Sequence, residues 1–274
     1  MAQGVGSHSA QAQRRGTPCA AATGTDSASG DVVLCLLSGF ELRSGDEVVE
    51  VPHGSQRLVA FLAFQSRPVQ RTYVSGSLWP EANEQRAAGC LRSAMWRVPS
   101  LHGRAIVAGT ATHLGLRPEV RVDYHETLAW ATALVNGQPR DDLALWHGHS
   151  GVSQELLPDW YDEWVLLERE RFRQLRLHAL EAVCERLVEQ GRYAQALMAG
   201  LAAVAVEPLR ESAHRLVVRA HIGEGNLYEA YRQYRSCAAL LESELGLKPS
   251  PAMQALAAAF GPNRSRRVRA GRGA

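Results

Sequence analysis

Residues 71–98 read RTYVSGSLWPEANEQRAAGCLRSAMWRV. The spacing in this stretch predicts two helices joined by a short turn. The first runs from about Thr72, whose hydroxyl is placed to cap free backbone N–H groups, to Leu78, and Pro80 stops it. The second begins near Glu84, where Ala88, Leu91, Met95 and Val98 recur at helical spacing as one apolar stripe. Its other face carries Gln85, Arg86, Gly89, Arg92, Ser93, Trp96 and Arg97. A helix that packs on one side and shows arginines and small polar groups on the other suits a DNA major groove. A plain solvated face has the same composition, so the flanking sequence must decide.

Upstream, VVLCLLSGFELR is apolar and β-branched, SGDE is a turn signal, and VVEV is a further strand ending at Pro52. GSQRLVAFLAFQS then forms an amphipathic helix with Leu58, Val59, Leu62 and Ala63 inward, Ser55 as its expected N-cap and Arg57 in its first turn. Downstream, AIVAGTATHLGLRPEVRVDY places two short strands around a Gly-Thr-Ala-Thr-His turn. Strands, helix, helix-turn-helix and hairpin, in that order, describe a winged helix of the OmpR type. Its wing, about residues 109–113 with Thr110 and His113, would reach the neighbouring phosphates or the minor groove. Arg57, Arg71 and Thr72 lie near helix starts, where basic groups and open N–H groups hold phosphate. Trp79 is expected to pack the turn between the helices. Trp96 is balanced between covering the core edge and lying against a DNA backbone.

Charge divides along the chain. Residues 55–117 hold eight arginines against Glu81 and Glu84, whereas residues 123–263 hold nineteen acids against thirteen bases; the net charge is only +2. A basic part followed by an acidic part suits one half that meets nucleic acid and one that does not. Lys248 is the single lysine among the 30 basic residues, a bias a high-GC genome would produce, and it carries no functional reading. The five cysteines form no CxxC pair, which points to reduced thiols. With no signal-peptide core and no membrane-length apolar run, the expected location is cytoplasmic and nucleoid-associated.

Residues 1–30 are small and polar and are expected to be a disordered arm. From Asp123 onward the pattern is helical. LLPDWYDEWVLLERERFRQLRLHALEAVCERLVEQ predicts one long helix or two abutting ones, with Trp164, Leu167, Phe172, Leu175, Ala179, Val183 and Leu187 inward. GRYAQAL at Gly191 and GNLYEAY at Gly225 repeat at an interval of 34 residues, and Ala196 matches Ala230. That is the tetratricopeptide period, in which helix pairs share a core and leave a concave face for a partner. The fold class expected is therefore an α+β winged helix-turn-helix domain followed by an all-α tetratricopeptide-like repeat.

With LLSGFELR, SLWPEANEQRAAGCLRSAMWRV, LLPDWYDEWVLLERERFRQLRLHALE and GNLYEAYRQYRSCAALLESELGLKPSP in hand, the chain resembles the short form of the Streptomyces antibiotic regulatory protein family over about residues 32–260. The resemblance implies an OmpR-type DNA-binding domain over 31–121 and a bacterial transcriptional activation domain over 122–260. The remaining 261–274 form a basic disordered tail. It further implies an activator that binds double-stranded DNA at direct repeats near antibiotic-cluster promoters, assembles head to tail there and recruits RNA polymerase. By position it assigns base and phosphate contacts to Gln85, Arg86, Arg92, Ser93 and Arg97, without fixing which arginine reads a base. Val98-Pro99-Ser100 ends the recognition helix where relatives often continue with basic residues. No GxxxxGK[ST] occurs, so the nucleotide module of larger members is not expected, nor a receiver domain, nor any cofactor.

Two other classes compete. An enzyme would need more than the HGH of His147 and His149, which has no spaced third ligand, and no GxSxG is present. A repeat-type protein-interaction adaptor without specific DNA binding is the stronger alternative, and the basic balance of residues 55–117 argues against it.

Overall fold

The computed structural model describes residues 31–137 and 150–258. The arm (1–30), the tail (261–274) and the HGH of His147 and His149 lie outside the described residues.

Strands β1 (Val32–Cys35), β2 (Glu41–Ser44) and β3 (Glu47–Val49) form an antiparallel sheet in which Leu34 faces Leu42, both buried. A short strand, β9 (Arg121–Val122), joins β1 in parallel on the other side. Between them come α1 (His53–Ala63), β4 (Val69–Gln70), α2 (Arg71–Leu78) and α3 (Glu84–Trp96). A two-strand ribbon, β5 (Ser100–Leu101) and β6 (Arg104–Ala105), follows, then the hairpin β7 (Val107–Gly109) and β8 (His113–Leu116), to which β4 adds as a third strand. This is the expected winged helix. The β5–β6 ribbon and the parallel β9 were not foreseen, because two-residue strands carry no readable alternation.

Local details differ from the sequence expectations in three places. Helix α1 starts at His53 after Pro52, so Ser55 is not its cap; it is buried, and its hydroxyl donates to the Ala94 carbonyl of α3 at 2.8 Å. Thr72 does not cap α2 either, since that helix begins one residue earlier with no side-chain cap. In α3 the fully buried stripe is Ala87, Leu91 and Ala94, with Ala88 and Met95 only half-buried. Small residues face α1 at that crossing, which lets the two helices approach closely. Asn83 caps α3, its side chain accepting from the Arg86 N–H at 2.9 Å.

Helices α4 (Asp123–Val135), α5 (Glu163–Glu189), α6 (Tyr193–Val206), α7 (Glu211–Glu224), α8 (Leu227–Leu245) and α9 (Pro251–Ala257) complete the described chain. The long apolar stretch is one 27-residue helix, α5. Leu167, expected inward, is 62% exposed. Its neighbours Trp164, Val165 and Phe172 turn toward the winged helix, which rotates Leu167 to the far side. The 34-residue repeat is visible in the backbone: Gly191 and Gly225 both adopt left-handed φ (72° and 85°) at the turns before α6 and α8. Ala196 and Ala230 are fully buried at equivalent crossings. Gly200 lies where α6 meets α7, and a Cβ there would stand 2.7 Å from Val217 Cγ2 and 3.2 Å from Cys184 Sγ. Gly200→Ala is therefore expected to lower stability by about 1 kcal/mol, although alanine is the better helix former, because overpacking a rigid valine outweighs propensity. A melting temperature above wild type would reverse that ranking.

The two halves share a core. Leu34, Leu36, Val59 and Ala60 of the winged helix cluster with Leu156, Leu157, Val165 and Phe172. Trp164 packs edge-on against Phe61 with ring centroids 5.2 Å apart, and Trp160 stacks on Phe40 at 6.0 Å. Backbone pairing continues across the seam: Ser38 N–H donates to the Glu155 carbonyl at 2.7 Å, and Leu157 N–H to the Leu36 carbonyl at 2.9 Å. Both Ser38 and Leu157 hold left-handed φ values (67° and 42°), unusual for residues with a side chain, so this junction is held by its surroundings. Arg169 of α5 fastens the same segment by donating to the carbonyls of Leu156 (2.9 Å), Leu157 and Trp160 (2.8 Å).

Candidate nucleic-acid interface

Helix α3 presents Gln85, Arg86, Arg92, Ser93, Trp96 and Arg97 as one exposed face, with Trp96 86% exposed. The tryptophan thus lies clear of the core edge. Among the described residues, the Arg86, Arg92 and Arg97 side chains form no ion pair and no hydrogen bond to another side chain. The acidic half behaves differently. Arg173 pairs with Glu170 and Glu207, Arg210 with Glu181, and Arg219 with Glu185. Cations left unpaired on one face of one helix keep their full charge for an external anion.

The start of α1 widens this surface. No acid lies in its first turn and no side chain caps it, so its leading N–H groups are open to an anion. An open groove of about 620 Å³ separates that end from α3, lined by Gly54, Trp79, Arg86, Gly89, Arg92 and Arg97. The sequence carried a signal for it, a proline followed by an uncapped, acid-free turn, that the expected Ser55 cap obscured. Trp79 packs half-buried beside the core of Leu58, Val74 and Leu91, in line with its expected role at the turn.

The wing is built on Thr110. Its hydroxyl accepts from the N–H groups of Thr112 (3.3 Å) and His113 (3.0 Å), and its own N–H donates to the His113 carbonyl at 2.9 Å. Thr112 Oγ1 lies 2.9 Å from His113 Nδ1. Arg71, at the start of α2, spans from the wing to α3: its backbone N–H donates to the Thr112 carbonyl at 2.9 Å, Nε to the Thr110 carbonyl at 3.0 Å and Nη1 to Met95 Sδ at 3.2 Å. Arg71 therefore links the wing to α3. Thr72 is exposed beside it.

Arg57 is not gathered with these residues. Its Nη2 donates to the Leu78 carbonyl at 2.8 Å and to Asp162 Oδ1 at 2.5 Å, and its side chain is only 20% exposed. A phosphate there would have to displace the carboxylate that ties α1 to the start of α5. Sequence spacing could not anticipate a partner 105 residues away.

Among the described residues no His, Cys, Asp and Glu cluster has the makings of a metal site, and no helix is long and apolar enough to cross a membrane. Residues 125–260 match the bacterial transcriptional activator domain family. Regulatory protein AfsR of Streptomyces coelicolor is 25% identical over 75% of this chain, which spans only 21% of that relative's length. Among solved structures, Mycobacterium tuberculosis EmbR in complex with a low affinity phosphopeptide superposes with a TM-score of 0.66 at 20% identity, covering 84% of this chain and 65% of that one. At that identity the likeness is one of fold.

Proposed function

The chain belongs to the Streptomyces antibiotic regulatory protein type of bacterial transcriptional activator, and from that premise we propose that it activates transcription by binding promoter DNA through α3 and the wing. The observation that carries the reading is the row of unpaired arginines on the exposed face of α3. Planar guanidinium forks on a helix of this width match the two acceptors of guanine in the major groove, and their neighbours reach phosphates. Gln85 and Ser93 supply shorter polar contacts. Trp96 lies flat along a sugar-phosphate strand, while Thr110 and His113 of the wing meet the next phosphates or the minor groove. Arg71 and Thr72 support that end through α2. Direct repeats in an antibiotic-cluster promoter, head-to-tail assembly on them and recruitment of RNA polymerase by residues 122–260 complete the proposal, which places the protein in the cytoplasm on the nucleoid.

Footprinting of the full chain on promoters of its neighbouring genes, at about 150 mM salt with excess competitor DNA, tests it. Protection of two spaced copies of one sequence is the expected outcome. Binding that disappears with salt and shows no sequence preference would leave a helical-repeat adaptor instead.

A further inference from the structure

We propose that the cavity between residues 152–156, α5 and the C-terminal half of α6 is a binding site for a small amphipathic monocarboxylate, with Arg176 receiving the carboxylate and Phe172, Leu180, Ala202 and Val206 the apolar body. The cavity measures about 700 Å³, the range of small-molecule sites. Its charge arrangement selects the ligand. Arg169 spends its guanidinium on three backbone carbonyls, and Arg173 is paired by Glu170 and Glu207. Of the three arginines, Arg176 is the one that forms no ion pair among the described residues, although the Glu155 charge acts on it through space. It is 8% exposed, and among the described residues its hydrogen bonding consists of Nη1 donating to the Gln154 carbonyl. Nε is buried without a partner, and among the described residues Nη2 makes no hydrogen bond.

A buried guanidinium with one acceptor is costly to keep, since desolvation is not repaid until an anion arrives. Its Cζ lies 6.0 Å from the Phe172 ring centroid, so the charge already leans on the wall that would hold the ligand's apolar part. Arg169 and Arg173 are matched by Glu155 and Glu170, so the lining offers one unmatched cation, and one negative charge on an apolar body is the matching chemistry. The inference does not depend on DNA binding, and it is tested on the free protein. The 152–156 segment that lines the cavity also carries backbone pairing to residues 36–38, just past β1, so occupancy would tighten the seam between the two halves.

The test uses octanoate and phenylacetate as probes, with octanol as the neutral control, measured by calorimetry and thermal melting of the full chain. Saturable octanoate binding at least tenfold tighter than octanol is expected, with a melting temperature raised by about 2–4 °C at saturation. Arg176→Met is expected to lower octanoate affinity at least tenfold while melting no lower than wild type, because it removes an unpaired buried charge. A merely structural arginine would instead melt lower and leave affinity unchanged. Ala202→Phe fills the cavity and should abolish binding with Arg176 intact, which keeps the test decisive if the methionine variant misfolds. Equal affinity for octanoate and octanol, retained octanoate affinity in both variants, or no saturable binding of either acid by folded wild type up to about 5 mM would each overturn the proposal.

Discussion

Arg92→Ala is expected to weaken binding to a specific DNA site about 5- to 150-fold at ~150 mM salt, the equivalent of one lost bidentate base contact at ~1–3 kcal/mol. The melting temperature should not move, because the side chain is exposed and touches no partner within the protein. Arg86→Ala and Arg97→Ala belong to the same series. Salt dependence separates their roles. A residue that reads a base leaves the slope of log K against log salt unchanged and relaxes preference at one position. A residue that holds a phosphate lowers the slope by roughly one and weakens all sequences alike. If the three alanine variants bind as wild type does, with unchanged slopes, α3 is an ordinary solvated helix and the DNA reading fails.

The second large effect concerns Asp123, at the joint of β1, β9 and α4. Its Oδ1 accepts from the N–H groups of Leu36 (2.8 Å) and Tyr124 (2.6 Å), and Oδ2 from that of Leu37 (3.2 Å). Leu36 and Leu37 are buried, so water does not replace the carboxylate if it is removed. Asp123→Ala is expected to cost about 3 kcal/mol or more, since each orphaned buried donor costs roughly 1–3 kcal/mol. Burial pushes this carboxyl up to about 6, outweighing the three N–H donors that pull it down. A pKa raised on folding means that the folded protein binds the extra proton between about 4 and 6. The group's contribution is therefore complete below about 4 and is lost as pH rises through about 6. Denaturant melts across that window should show wild type losing stability with rising pH. Asp123→Asn keeps one oxygen for Leu36 and Tyr124, sets its amide against the Leu37 N–H, and removes the slope. The gap between wild type and Asp123→Asn should accordingly narrow from pH 4 to pH 7; a gap that widens would show the carboxylate to be the favoured form.

Elements with strong periodicity were legible from residues alone. Leu58, Val59, Leu62 and Ala63 face inward in α1 as their spacing requires, and the Gly-Thr-Ala-Thr-His turn forms the wing between β7 and β8. The 34-residue interval was legible because the turn glycines and crossing alanines repeat with it. What spacing cannot carry is the identity of a distant partner. Ser55 has the type and place of a cap, yet its hydroxyl is claimed by Ala94 from another helix. Leu167 fits a helical stripe, but α5 packs on two different neighbours along its length, and the stripe turns with them. The arginines of the candidate interface were legible as a group because an uninterrupted helix puts them on one face. Arg57 had the same credentials, and only the fold brings Asp162 beside it.

The common core beneath α1 and α5 has a geometric consequence. With Trp164 wedged against Phe61 and Arg57 clasped by Asp162, the repeat helices cannot swivel freely about the winged-helix half. If α3 seats in a groove as proposed, the compass bearing of α6 and α8 is set at that moment. Copies on tandem sites would stand in one attitude, like successive teeth on a rack. A centre-to-centre distance of whole duplex turns, ~10.5 base pairs each, would keep them shoulder to shoulder, and a half-turn would set them on opposite sides of the rod.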